Sequence, residues 1–161
     1  MNPDEPRPTE PAPVDVPAGA TTSATPPPAV DEELLLAAAW EARAAALCPY
    51  SGFAVGAALL DGAGRVWTGA NVENASYTLG LCAERVALFY ALTHGARDFR
   101  HIAVVTGAAA PTSPCGACRQ LLLEFAPEAT LITAIADQRM HTTVRELLPF
   151  GFDAASLGRR P

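Results

Sequence analysis

Two segments of the chain open with cysteine and continue with the periodicity of a helix, and this pair constrains the fold most. "LCAERVALFYAL" (81–92) starts with Cys82 and Glu84, and "SPCGACRQLLLEF" (113–125) starts with Cys115 and Cys118. Residues three apart at a helix start lie on one face, so the thiols of Cys115 and Cys118 are neighbours. We expect the two helix starts to face each other across a zinc ion.

The spacing of Cys82 and Glu84 locates that ion relative to its helix. Residues two apart lie about 200° apart around a helix axis, so they cannot share a target beside the helix. They can share a target beyond the N-terminal end, where side chains of the first turn converge. The positive end of the helix dipole also lowers the pKa of a thiol, which favours the thiolate that a metal needs. The ion is therefore predicted off the end of the helix.

The donor set leaves three interpretations open. Three thiolates with water in the fourth position make a catalytic zinc site, in which Glu84 moves the proton of that water. A closed structural site would add Cys48 as a fourth thiolate. A redox pair formed by the CxxC motif is the third possibility, but it leaves Cys82 and Glu84 unexplained. We favour the catalytic site.

The rest of the pattern predicts an α/β fold. "DEELLLAAAWEARAAAL" is typical of a helix that ends before Pro49, and "FAVGAALLDGAGRVWTGANVEN" of a hairpin around an Asp-Gly-Ala-Gly turn. The remaining predicted elements are helices at about 82–93 and 115–125, strands in 101–107, 129–136 and 140–144, and a short helix from about Val144. This alternation implies a three-layer α/β/α sandwich with a mixed sheet of about five strands.

Composition bounds the domains and the partners. Residues 1–30 contain nine of the fifteen prolines, which predicts a disordered, dispensable tail ahead of one catalytic domain at 31–161. The net charge of -6, with no Lys and no run of Arg, argues against binding of a nucleic acid polymer. No apolar run approaches the ~20 residues of a membrane span, and the N-terminus does not resemble a signal peptide. We expect a cytoplasmic protein.

Four segments carry a resemblance to a known family. "CPYSGFAVGAALL", "TGANVENASYTLGLCAERVAL", "SPCGACRQLLLEFAP" and "RELLPFGF" resemble cytidine deaminase of the short, homotetrameric kind. The resemblance extends from about residue 35 to residue 157, and C-A-E followed by P-C-G-A-C-R-Q is highly specific. By this resemblance the fold is that of cytidine deaminase. Its ligands for one zinc per subunit are Cys82, Cys115 and Cys118, and its proton shuttle is Glu84.

The resemblance also implies a substrate site. Asn71 and Glu73 would bind the ribose hydroxyls, and the two residues share one face because they lie two apart at the end of a strand. Phe53 would pack against the base. Backbone groups around Ala75, with the Glu84 carboxylate, would bind the pyrimidine edge.

Two further residues receive roles through the family. Arg85 would hydrogen-bond the ligand sulfurs and offset their negative charge. Phe152 would close the pocket of a neighbouring subunit, so the resemblance implies a homotetramer with shared active sites.

The implied activity is zinc-dependent hydrolytic deamination of cytidine and 2'-deoxycytidine to uridine and 2'-deoxyuridine, with release of ammonia, in pyrimidine salvage. A blasticidin-type or other small-heterocycle deaminase is the alternative within the same fold, although the "NVENASY" segment favours a nucleoside. A zinc-stabilised interaction module is the non-catalytic alternative.

Overall fold

The structure, a computed structural model, describes residues 31–158. The predicted tail, residues 1–30, lies outside the described residues. Within these described residues, four α-helices and five strands follow one another, with short 3₁₀ turns at Tyr77–Leu79 and Ala154–Leu157. In chain order they are α1 (Glu32–Arg43), β1 (Val55–Asp61), β2 (Val66–Ala70), α2 (Ala83–Thr93), β3 (Phe99–Thr106), α3 (Gly116–Phe125), β4 (Thr130–Ala134), β5 (Arg139–Thr143) and α4 (Val144–Leu147).

The strands form one mixed sheet in the order β2-β1-β3-β4-β5. Strands β3 and β4 are parallel, and the other three neighbouring pairs are antiparallel. The predicted hairpin is present as β1 and β2, with Leu60 opposite Val66 beside the turn. The helix α3 connects the parallel pair, as a crossover between parallel strands requires.

Helices cover both faces of the sheet. Successive side chains of a strand point to opposite faces, so each face has apolar side chains that a helix can bury. Helix α1 packs against one face through a buried cluster that includes Leu35 and Ala58. Helices α2, α3 and α4 pack against the other face through a larger cluster that includes Leu59, Leu88 and Leu122. The predicted three-layer α/β/α sandwich is therefore confirmed.

A glycine lets α2 approach the sheet closely. A Cβ atom at Gly69 in β2 would lie 2.5 Å from the amide nitrogen of Ala87 and 2.7 Å from the carbonyl oxygen of Ala83. Any side chain at this position would push α2 outward. Because α2 begins beside Cys82, this contact bears directly on where the predicted metal ligand lies.

Between residues 31 and 158, no helix combines the length and the apolar character that a membrane crossing demands.

Candidate functional site

Three of the four cysteines come together between two helix starts. Cys82 is the N-cap of α2 and Cys115 is the N-cap of α3, so both thiols lie at the positive ends of helix dipoles. The sulfur of Cys115 lies 3.7 Å from that of Cys82 and 3.6 Å from that of Cys118. Within the described part of the chain, these three residues form the only His, Cys, Asp or Glu group tight enough to hold a metal ion, and Cys48 is outside it.

The chemistry of these thiols suits a zinc ion. The pKa of Cys82 is lowered to about 5, mainly by contact with the Cys118 thiol and also by contacts with Cys115 and Arg85, although burial opposes the shift. The pKa of Cys118 is raised by the same contact and by its burial. Three sulfurs this close cannot all carry negative charge unless a cation lies between them. The residues present therefore fit a bound Zn²⁺, which needs deprotonated thiols.

A buried carboxyl group lies beside the thiols. Glu84 is the second residue of α2 and only 4% of its surface is exposed. The pKa of Glu84 is raised to about 7, mainly by burial and also by the nearby charge of Cys82. A carboxyl group with a pKa near neutrality can both accept and donate a proton at physiological pH, which is what a proton shuttle requires.

The guanidinium group of Arg85 lies between the cluster of three thiols and the backbone of Gly80, just before α2. One of its nitrogens donates to the carbonyl oxygen of Gly80 at 2.9 Å and lies 3.9 Å from the sulfur of Cys82. This geometry places a positive charge beside the sulfur of Cys82, where it can offset the negative charge of a thiolate.

One cavity of about 330 Å³ contains these groups together with most of the predicted substrate residues. Its chemical end is lined by Cys82, Cys115, Glu84 and Arg85. Its other wall includes three predicted substrate residues, Phe53, Asn71 and Glu73.

Two predicted substrate residues do not line this cavity. Ala75 is exposed outside it, and Phe152 is 61% exposed near the end of the described chain.

The polar groups of Asn71 bind the backbone of the segment that carries Phe53. The Asn71 amide nitrogen donates to the carbonyl oxygen of Phe53 at 2.9 Å, and its amide oxygen accepts from the Val55 amide at 2.8 Å. Asn71 therefore anchors this segment at the start of β1.

The carboxylate of Glu73 binds the same segment two residues earlier. It accepts from the amides of Tyr50 at 2.9 Å and Ser51 at 3.1 Å, and from the Ser51 hydroxyl. These hydrogen bonds, the Ser51 hydroxyl first and the Tyr50 amide next, lower the pKa of Glu73 below its ordinary value. Glu73 is therefore ionised at neutral pH.

A comparison with known families identifies this arrangement. The family model described as "Cytidine and deoxycytidylate deaminase zinc-binding region" matches residues 29–134, which is more than half of the chain. The chain belongs to this family of zinc-dependent deaminases. The resemblance noted in the sequence is thereby confirmed.

Individual members of the family are similar over nearly their whole length. A cytidine deaminase from Halalkalibacterium halodurans is 49% identical over 119 residues, which cover 73% of this chain and 90% of that protein. A cytidine deaminase from Sporosarcina psychrophila is 44% identical over 73% of this chain and 88% of its own length. The crystal structure of cytidine deaminase from Burkholderia pseudomallei superposes with a TM-score of 0.75 at 45% identity, covering 76% of this chain and 100% of that one.

The deaminase cavity also contains residues that the sequence analysis did not single out. Ser51 and Tyr77 lie on the wall with Glu73, and the hydroxyl-bearing residues Thr106, Thr112 and Ser113 lie near Cys115. Ser51 lies only two residues before Phe53 in "CPYSGF", so its position in that motif was the available signal. The threonines carry no motif of their own.

Arg119 was also missed, although it lies within the P-C-G-A-C-R-Q motif. Its guanidinium donates to the carbonyl oxygen of Pro114 at 2.7 Å, to the Ser113 hydroxyl at 3.1 Å and to the carbonyl oxygen of Leu147 at 3.0 Å. These bonds hold the loop that leads into Cys115 against the end of α4. The half-buried guanidinium of Arg119 thus positions the loop that carries one of the cluster cysteines.

Proposed function

We propose that the chain catalyses the hydrolytic deamination of cytidine and 2'-deoxycytidine, giving uridine or 2'-deoxyuridine and ammonia in pyrimidine salvage. The observation that carries the proposal is the buried Glu84, which lines the same cavity as Cys82 and Cys115 and has a pKa near 7. The names of the similar proteins support the substrate class.

The metal end of the site supplies the nucleophile. Cys82, Cys115 and Cys118 would hold one Zn²⁺ per chain, and zinc in such a site acidifies water so that it attacks at neutral pH. Glu84 accepts the proton of the attacking water and delivers it to N3 of the pyrimidine while the oxygen adds to C4. Glu84 then takes the remaining proton from the oxygen on C4 and passes it to the amino group, and the C4–N bond breaks to release ammonia as the C4 carbonyl forms. Arg85 offsets the negative charge of the sulfurs.

The other wall of the cavity recognises the nucleoside. In this proposal Asn71 and Glu73 bind ribose hydroxyls, Phe53 packs against the base, and backbone groups around Ala75 contact the pyrimidine edge. The shared cavity supports the roles of Asn71, Glu73 and Phe53. The ionised carboxylate of Glu73 suits a partner that donates a hydrogen bond, as a sugar hydroxyl does.

Assembly into a homotetramer completes the pocket. The exposed Phe152, which lies outside its own cavity, supports the idea that it closes the pocket of a neighbouring subunit. Gln120 donates to the carbonyl oxygen of Phe152 at 2.6 Å, so the segment is tied to α3. Light scattering combined with kinetics tests this assembly. Truncation after Pro149 should abolish activity while zinc is retained, and a fully active monomer would contradict the shared pocket.

The proposed location is the cytoplasm, where a nucleoside salvage enzyme meets its substrate. All but the last two of residues 1–30 lie outside the region that the family model matches. Their deletion should therefore change neither the mass of the assembly nor the activity, and loss of either would assign the tail a function.

One assay tests the proposed activity most broadly. Ultraviolet absorbance should change with cytidine and 2'-deoxycytidine and remain constant with cytosine and adenosine. A small-heterocycle deaminase would instead act on a substrate without ribose. A zinc-stabilised interaction module would act on none of the four.

A further inference from the structure

The segment from Tyr50 to Phe53, which forms part of the cavity wall, is held mainly by side chains. It precedes β1, and Gly52 turns the chain with φ +67°. The amides of Tyr50 and Ser51 donate to Glu73, and the carbonyl oxygen of Phe53 accepts from Asn71. The location of this wall therefore depends on a few individual hydrogen bonds rather than on a strand ladder.

The Ser51 hydroxyl connects Glu73 to the backbone of Phe53. It donates to Oε1 of Glu73 and accepts from the amide of Phe53 at 2.9 Å. One oxygen atom thus links the carboxylate proposed to bind the sugar to the residue proposed to pack against the base. An amide of Phe53 without this acceptor would face solvent or the cavity.

The hydrogen bonds of Glu73 also determine how it can bind a ligand. A carboxylate offers about four acceptor positions. Oε2 accepts from the amides of Tyr50 and Ser51, and Oε1 accepts from the Ser51 hydroxyl. One acceptor position on Oε1 is left for a donor in the cavity. The hydrogen bond from the Ser51 hydroxyl determines the direction in which this free position points.

We propose that Ser51 is a positioning residue for nucleoside recognition. It acts through Glu73 and Phe53 and sets the sugar contact and the base contact together, a role that rests on the proposed deaminase function. Because the metal cluster and Glu84 lie on other segments, loss of the Ser51 hydroxyl should weaken binding in the ground state and transition state alike. Such a change raises KM and leaves kcat nearly constant.

Kinetics on three variants of the full-length protein test this role. Ser51→Ala removes the hydroxyl and Ser51→Thr retains it. Thr93→Ala removes a hydroxyl at the far end of α2, where it donates to the carbonyl oxygens of Phe89 and Tyr90 and lies 3.5 Å from Nδ1 of His94. We expect KM for cytidine to rise about tenfold in Ser51→Ala, as loss of a hydrogen bond to a charged group implies, with kcat within about twofold. Ser51→Thr should recover most of the affinity, and Thr93→Ala should match the unmodified protein. A lower kcat at constant KM, or equal defects in the Ala and Thr variants at position 51, would overturn the proposal.

A second measurement separates this role from the proposed reaction. Hydrogen exchange followed by mass spectrometry needs no substrate and reports on the peptide that covers residues 50–55. Its amides should exchange at least about threefold faster in Ser51→Ala than in Ser51→Thr or Thr93→Ala, because the Phe53 amide loses its acceptor. Unchanged exchange would refute the positioning role even if cytidine is deaminated. Faster exchange in a protein inactive on cytidine would support the Ser51 contacts and reject the substrate.

Discussion

The two ends of the cavity are built differently. At the metal end, Cys82 and Cys115 cap two regular helices, and packing of those helices on the sheet brings the sulfurs together. At the other end, where we propose that the sugar binds, Asn71 and Glu73 bind an irregular segment through single hydrogen bonds between side chain and backbone. The metal end therefore depends on the core of the fold, while the proposed sugar end depends on a few hydrogen bonds that single substitutions can remove.

The largest effects should follow from loss of a cluster thiol. Cys82→Ala, Cys115→Ala and Cys118→Ala should each lose zinc and activity, because among residues 31–158 only these three thiols lie close enough together to hold a metal ion. Cys48→Ala is the matched control and should keep about one zinc per chain. Elemental analysis with turnover measures both, and loss of zinc from Cys48→Ala would show a fourth thiolate that the geometry excludes.

The next largest effect on turnover should come from a variant that loses the proposed proton shuttle, Glu84, but keeps the metal. Glu84→Gln keeps the shape of the side chain but cannot carry a proton, so turnover should fall by at least about 10²–10⁴-fold. Zinc content and thermal stability should stay near those of the unmodified protein. Turnover within a few-fold of normal would remove Glu84 from the mechanism.

A change at the sugar end should be smaller and should leave the metal in place. Glu73→Ala removes the proposed sugar contact and the acceptor for the amides of Tyr50 and Ser51. Cytidine turnover at low substrate concentration should fall by about tenfold or more, with zinc retained. Kinetics equal to those of the unmodified protein would place the ribose site elsewhere in the cavity.

The smallest predicted effect is a dependence of stability on pH at the sugar end. Hydrogen bonds from Ser51 and Tyr50 hold the pKa of Glu73 below its ordinary value of 4.5. A carboxylate with a lowered pKa stabilises the fold fully above its ordinary pKa, and this stabilisation is lost as the pH falls through the folded-state pKa. The urea midpoints of the unmodified protein and Glu73→Gln should differ at neutral pH and converge below about pH 4.5. A difference that grows on acidification would contradict the assigned hydrogen bonds.

The contrast between the two ends also explains what the sequence could predict. The helices at 82–93 and 115–125 were placed within one residue of α2 and α3, because apolar periodicity and helix starts are local signals. Cys82 lies at the N-cap of α2, which is the helix end where the same local geometry predicts the metal.

Other features depend on segments far apart in the chain. Ser51 and Glu73 are 22 residues apart, and Arg119 and Leu147 are 28 apart, so no local pattern indicates that they are bonded. The pKa of Glu84 near 7 likewise requires the burial that only the packed structure provides. Asn71 and Glu73 were predicted to share a surface, but their bonds to the segment from Tyr50 to Val55 were not predicted.

Removal and return of the metal test the central claim most directly. A strong chelator should strip zinc from the full-length protein and abolish cytidine deamination, and one equivalent of Zn²⁺ per chain should restore it, with no further gain from a second equivalent. The same titration on Cys118→Ala should restore nothing. Full deamination by protein shown by elemental analysis to be free of metal would contradict the account.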